Sequence, residues 1–360
     1  MKKFLLILTV ALLSLSVVAC SGTTQFVQTS LWEDYEYEKL TYDIVEEGVT
    51  EKGTLVMEME HVPADDENFV IPQIDPETGV LNTQKVGLKK NQYLLQRTLT
   101  FPVDSANGLY DTMKNITIVD SSFNPLYSYA QLTLAKEQSA YTGEGNEPAC
   151  VSYVTTSAYT FNKEKSKWSV VSSYLRQKEY GNTAEWNFKT QTFSDLAETS
   201  TDMNMTYYKL RFINNLTTTD DFSYQCSNPM VLESSIKYLN CKGAIEQHAV
   251  DNSVPYIYNE YKTAFGDDFG GFALDLVKVT IYPMNQAVTG SGINIYYSRV
   301  PIIAREELSL AASANDANIH KSERVPVIMI ENVRPDSATS IYPDSRGTIT
   351  YKLTDITNVK

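Results

Sequence analysis

Apolar and polar residues alternate one by one along most of this chain, the period of a half-buried strand. Leu40, Tyr42 and Ile44 share one strand face, and Leu55, Met57 and Met59 share another while Glu58 and Glu60 face away. Trp168, Val170 and Tyr174 repeat the pattern with Ser172 between them, and Trp186 and Phe188 follow it. It returns in Val277, Val279 and Ile281, in Ile293, Ile295 and Tyr297, in Val325, Val327 and Met329, and in Ile349, Tyr351 and Leu353. Turn chemistry separates the segments, as in Asp75-Pro76-Glu77-Thr78-Gly79, Asn124-Pro125 and Gly290-Ser291-Gly292. Helical spacing is rarer. Ser253 as N-cap, Pro255 in the first turn, Ile257, Tyr261, Ala264 and Phe265 on one face and Gly266 at the end predict one helix. Arg305 to Ala314 reads as a weaker one, and Met203 to Leu216 fits either period. No repeat of fixed period is present, which argues against a propeller or solenoid. The pattern predicts a mainly β protein: a large curved antiparallel sheet or half-barrel with one to three short helices.

The N-terminus departs from this pattern. Lys2 and Lys3 precede an apolar run, Phe4 to Leu13, interrupted only by Thr9, the length of a signal-peptide core rather than a membrane span. Val17-Val18-Ala19-Cys20 then resembles a bacterial lipobox, in which the cysteine thiol takes a diacylglyceryl group and becomes the new N-terminus. Val17 stands where leucine is commoner. An ordinary signal peptide cut near Ala19, with Cys20 a bystander, is the plainer alternative. The organisation expected is a leader with lipobox over 1–20, a tether rich in Ser, Thr and Gln over 21–32, and β-rich halves over 33–200 and 201–360. A seam at Asp195 to Asp202 would divide two domains or interrupt one continuous domain. Cys20 is the predicted lipid (palmitate) attachment site, and acyl chains at about 0.8 kcal/mol per buried methylene anchor firmly. The predicted location is extracytoplasmic, lipid-anchored to the bacterial cell membrane or outer membrane.

Charge and chemistry narrow the function classes. The 360 residues hold 30 Lys plus Arg against 44 Asp plus Glu, a net charge of −14, so no electrostatic footprint for a phosphate backbone exists and nucleic acid is not an expected partner. With Cys20 lipidated, Cys150, Cys226 and Cys241 remain; Cys226 and Cys241 flank a stretch able to fold back as a hairpin and pair, or all three stay unpaired. His61, His248 and His320 are isolated, with no pair at metal-ligand spacing, so no metal or other cofactor is expected. Ser234-Ser235-Ile236-Lys237 matches SxxK, but Lys262-Thr263-Ala264 falls in a predicted helix where a KTG strand is required. No GxSxG elbow occurs, and Asp267-Asp268 lacks calcium-loop spacing. No residue is nominated as catalytic, and the expectation is a protein that is not an enzyme.

Two features suggest ligand contact instead. Tyrosine occurs 24 times, which suits strands that face water, and Tyr256, Tyr258 and Tyr261 on the predicted helix with Tyr296 and Tyr297 on a strand are the candidates for an aromatic binding surface. Arg97 shares a strand face with Tyr93, Leu95, Leu99 and Phe101, so its guanidinium sits on the apolar side and needs a partner. Three readings stand: a structural ion pair, a strand-end residue reaching solvent, or an anchor for an anionic ligand in a β-cavity.

From Leu40 onward the order of features resembles a family of bacterial envelope proteins catalogued as domain of unknown function three-one-zero-eight. The opening strand pair Lys39 to Val45 and Gly53 to Met59 and the Val119-Asp120 to Asn124-Pro125-Leu126 strand and turn carry the likeness, and Tyr207-Tyr208-Lys209-Leu210-Arg211 resembles the family's mid-domain Y-x-L-R. Ile295-Tyr296-Tyr297-Ser298 resembles its strand ending in W-x-S, Arg324-Val325-Pro326-Val327 its R-x-P-V, and Gly347-Thr348-Ile349 with Leu353 its closing strand. The stretch from Arg299 to Arg324 replaces a brief Asp-containing turn. The resemblance implies an extended, curved antiparallel sheet, similar in shape to the half-barrels of lipoprotein-localisation factors, and no assigned enzyme activity. Function then divides among a lipid-anchored envelope protein holding a lipid or other amphipathic molecule in a β-concavity, a structural or protein-interaction lipoprotein with an envelope-protein partner, and a surface glycan or solute binder.

Overall fold

The computed structural model describes residues 36–47, 49–104, 109–134, 150–180, 183–196, 201–202, 205–212, 221–228, 237–249, 275–283, 292–298, 302–303, 321–322, 325–333 and 347–359. The segments predicted as leader, tether and the helices at 253–265 and 305–314 lie outside them. All eight segments of alternating pattern named above are strands. In chain order the strands are β1 (Tyr37–Glu46), β2 (Gly53–His61), β3 (Val70–Ile74), β4 (Leu81–Lys85), β5 (Tyr93–Asp104), β6 (Leu109–Val119), β7 (Pro125–Leu134), β8 (Cys150–Asn162), β9 (Lys167–Tyr180), β10 (Thr183–Leu196), β11 (Thr201–Asp202), β12 (Asp221–Asn228), β13 (Lys237–Ala249), β14 (Asp275–Pro283), β15 (Gly292–Ser298), β16 (Ile302–Ile303), β17 (Lys321–Ser322), β18 (Pro326–Val333) and β19 (Gly347–Val359).

Fifteen of these strands form one sheet in the order β10-β9-β8-β7-β6-β5-β2-β1-β19-β18-β15-β14-β13-β12-β11. Every pairing in it is antiparallel except the two-residue β11, which runs parallel to β12. Residues from 33–200 and from 201–360 thus build the same sheet, joined at its centre where β1 lies between β2 and β19. β10 and β11 are adjacent in sequence and terminal at opposite ends of the sheet. Laid flat, fifteen strands span roughly 65 Å, whereas the five steps from Leu196 to Thr201 reach at most about 18 Å. The sheet therefore curls until its ends approach. They do not join edge to edge: β11 packs against β7, and the Tyr159 hydroxyl of β8 donates to Asp202 Oδ2 of β11 at 2.5 Å. One end of the sheet is tucked inside the curve of the other, as in a scroll.

The mainly β architecture, with a large curved antiparallel sheet, holds. The ambiguous stretch after Met203 resolves as a single turn of helix, α1 (Thr206–Lys209), continued by a 3₁₀ turn, Leu210–Phe212. Met205 precedes it without a side-chain cap. Four residues cannot sustain a helix in water, so tertiary packing holds this one.

Two close approaches require glycine, one on the inner face and one in the outer layer. A Cβ on Gly53 would lie 2.6 Å from the Phe101 ring, so glycine lets β2 and β5 meet there. Gly79, at φ +73°, ends the turn opened by Asp75, whose carboxylate accepts from the backbone N–H groups of Glu77 and Thr78, and seats against Phe188. That turn joins β3 to β4, a hairpin that packs across the outside of β7, β8 and β9. Nothing in the alternation marks β4, because all five of its residues are exposed.

Candidate functional site

The inner face of the curl has two chemistries. On β1, β2, β15, β18 and β19 it is built from Leu40, Tyr42, Ile44, Leu55, Met57, Met59, Ile295, Tyr297, Met329 and Leu353, all buried. On β6 to β9 it carries the small residues Asn115, Thr117, Ser128, Ala130, Thr155, Ser157 and Ser172, equally buried and interspersed on β8 and β9 with Tyr153, Tyr159, Trp168, Val170 and Tyr174. Small hydroxyls there pair with one another: Ser157 with Ser172 at 2.9 Å, and Thr117 with Ser128 at 3.5 Å.

The segment Met205–Phe212 lies inside the curl and is tied to β1, β2, β5 and β15. The Tyr208 hydroxyl reaches the backbone carbonyls of Glu58 (2.9 Å) and Gln96 (3.1 Å), one on β2 and one on β5. Arg211 meets Glu38 of β1 through two hydrogen bonds, Nη1 to Oε1 at 2.7 Å and Nη2 to Oε2 at 3.1 Å, with both side chains essentially inaccessible to water. Tyr297 on β15 donates to the Tyr207 carbonyl at 3.2 Å, and Tyr42 crosses from β1 to the Pro326 carbonyl at 2.8 Å. Burial drives the hydroxyls of Tyr42, Tyr208 and Tyr297 far above their ordinary pKa, so each is a permanent donor. Burial alone would lower the Arg211 guanidinium, but the charge and hydrogen bonds of Glu38 outweigh it and hold it above its ordinary value. Lys209, also buried, is brought down to about 8 by desolvation, with partial relief from Asp120.

Arg97 is mid-strand and only 9% exposed, so it does not reach solvent as a strand-end residue. Its guanidinium carbon lies 4.4 Å from the centre of the Tyr207 ring, a cation–π contact; among the described residues no carboxylate forms an ion pair with it. Arg176 on β9 repeats the arrangement 5.5 Å from the Tyr153 ring. Nε of each arginine, with Oε1 of Gln191 on β10, is buried without a protein hydrogen-bond partner among the described residues.

The structure brings two of the expected contact residues together through a third. Arg97 takes the ring of Tyr207 and Tyr297 takes its carbonyl. Tyr296 falls on the opposite face of β15 from Tyr297 and is half-buried. Tyr256, Tyr258, Tyr261 and Cys20 lie outside the described residues. Cys226 and Cys241 occupy the neighbouring strands β12 and β13, where Cys226 registers with Leu239 and Cys241 with Tyr224, so the two are diagonal rather than directly opposite.

Sequence reasoning missed the Glu38/Arg211 pair. Its signal was present: Arg211 stands among Tyr208, Leu210 and Phe212 in the stretch resembling Y-x-L-R, and a charge in apolar company needs a partner. Glu38 was hidden by the solvent-facing look of the acidic run at the start of β1.

No family model matches this chain, and no curated protein matches it. Among solved structures, the crystal structure of a β-barrel-like protein of domain of unknown function DUF1849 from Brucella abortus is similar over 91% of this chain and 99% of that chain, at 10% identity and a TM-score of 0.34. At that level the likeness transfers nothing to this chain.

Proposed function

We propose that this is a non-catalytic, lipid-anchored envelope protein, held at the membrane through Cys20, whose β body works through its outer surface as a structural or protein-interaction module. One observation carries the reading: the concavity in which a ligand would lie is occupied by the chain's own segment Met205–Phe212, pinned to β1, β2, β5 and β15. A curl whose apolar wall is already covered leaves its outside as the working surface. The leader and lipobox support the anchor, and the lack of any nucleophile and base at a recognised spacing supports a role without catalysis. Membrane fractionation after a high-salt wash tests the anchor: Cys20→Ala should move the protein from membrane to soluble fractions, and retention on the membrane overturns it. Native mass spectrometry of protein extracted from its host tests the filled interior, which predicts the mass of the polypeptide and its acyl chains alone.

A second reading has its own support in two arginines on the inner face. Arg97 and Arg176, each lying over a tyrosine ring, would suit the anionic head of an amphipathic molecule that displaces Tyr207. It predicts a co-purifying lipid that is lost in Arg97→Met while the fold persists. The filled-interior reading predicts no such ligand in either protein.

A further inference from the structure

A guanidinium is a cation with a fork of N–H donors, and burying one without an anion or a set of acceptors is costly. Arg97 is in that condition. It is only 9% exposed, its Nε meets no protein acceptor, and among the described residues its side chain forms no hydrogen bond or ion pair; what it meets is the Tyr207 ring. The inner-face carboxylates do not serve it. Both oxygens of Glu38 are taken by Arg211, and Asp202 accepts from Tyr159. Asp111 stands four residues along β6 from Asn115, the residue opposite Arg97, a separation of about 13 Å.

The surroundings specify the acceptor that fits. Met57 of β2 and Asn115 of β6 stand directly across from Arg97, and Leu95 and Leu99 flank it on the same strand face. All four are buried. A single positive charge in this largely apolar company is balanced by a single negative one, whereas a dianion would leave net charge in the core. The in-plane N–H groups of a guanidinium match the two oxygens of a carboxylate, and the apolar neighbours suit a short alkyl remainder. Arg176 is the contrast within the same wall: its Nε also lacks a protein partner, but the residue is only half-buried, so water can serve it.

We infer that Arg97 anchors a binding site for a small monocarboxylate, held in the plane of its guanidinium and bordered by Met57 and Asn115 while the Tyr207 ring stays over it. The inference rests on the filled interior, because Tyr207 keeps its place on Arg97 and Tyr297. It differs from the lipid reading, in which Tyr207 is displaced.

Nuclear magnetic resonance of arginine Nε–H groups in the detergent-solubilised full chain, carrying isotope-labelled arginine, tests the site with sodium formate as the probe. The Arg97 signal is the one missing from Arg97→Lys; Tyr207→Leu, which removes the ring over it, identifies the same signal with the guanidinium intact. Formate should shift this signal along a saturating curve at constant ionic strength, while the Arg176 signal moves little and neither chloride nor inorganic phosphate saturates either. Urea unfolding gives a second readout. Above saturation, ten times more formate in place of chloride should raise the folding constant of the parent about tenfold. It should leave Arg97→Lys, which keeps the charge and loses the fork, nearly unchanged. An Arg97 signal that moves only in proportion to salt, saturation by phosphate as tight as by formate, or saturation at Arg176 instead would each overturn the proposal. A lipid found by native mass spectrometry would overturn the filled interior instead, so the two failures are distinguishable.

Discussion

The wall made by β1 and β2 and the wall made by β6 to β9 belong to one sheet, yet the first is apolar on its inner face alone and the second on both faces. On β1 and β2 the large side chains face inward and Lys39, Asp43, Glu58 and Glu60 face out. On β6 to β9 the inner face mixes small polar residues with Tyr153, Tyr159, Trp168, Val170 and Tyr174, while Ile116, Ile118, Tyr127, Tyr129, Val154 and Leu175 face outward under the β3–β4 hairpin with Ile71 and Ile74. A continuous sheet can thus add a second apolar face along part of its width, provided another layer covers it and the inner polar groups find partners. The inward wall is held by one long-range anchored segment, the outward one by a hairpin laid across it.

The largest test removes the anchor of the inner wall. Arg211→Met should lower stability by about 3–5 kcal/mol in urea denaturation, because Glu38 is left charged and buried. The double variant Glu38→Leu with Arg211→Met should recover most of that loss; if the single variant is as stable as the parent, the segment Met205–Phe212 does not hold the wall.

The matching test on the outer wall is Ile71→Ala. Ile71 is fully buried between hairpin and sheet, and its truncation should cost about 2–4 kcal/mol. Val80→Ala in the same hairpin, at an exposed position, should be nearly neutral.

Lys209 supplies a pH signature for the inner segment. Its folded pKa, about 8, lies below the unfolded value near 10.5, so between these values the unfolded chain binds more protons and stability rises with pH. From pH 7.5 to 9, below the range in which ionisation of the unfolded chain's tyrosines opposes it, the gain should be roughly 1 kcal/mol, and Lys209→Met should flatten the slope. A parent whose stability falls across that window contradicts the buried position of Lys209.

The smallest effect belongs to the hydroxyl ladder. Ser157→Ala should cost about 1 kcal/mol, and a double-mutant cycle with Ser172→Ala should show that most of it is shared between the two.

Much of this was legible in the chain. Alternation located β1, β2, β9, β10, β14, β15, β18 and β19, because a strand half in water must place every second residue in the core whatever its partners are. Arg97 was recognisable as a charge on the wrong face for the same reason. Its partner was not, since Tyr207 is 110 positions away in sequence and a ring, not a carboxylate, receives it. The turn at Asp75 to Gly79 was visible, but its strands were not, because exposed β4 carries no alternation.

The sequence by itself determined a β chain and its turns at Asp75 to Gly79 and at Asn124-Pro125. Tertiary structure decided which face of each strand is the inside, that Thr206 to Phe212 is helical, and that Glu38 and Arg211 meet. The physical reason is that period two states only that two faces differ. Which face is buried, and by what, depends on residues a hundred or more positions apart being brought together by the curl of the sheet.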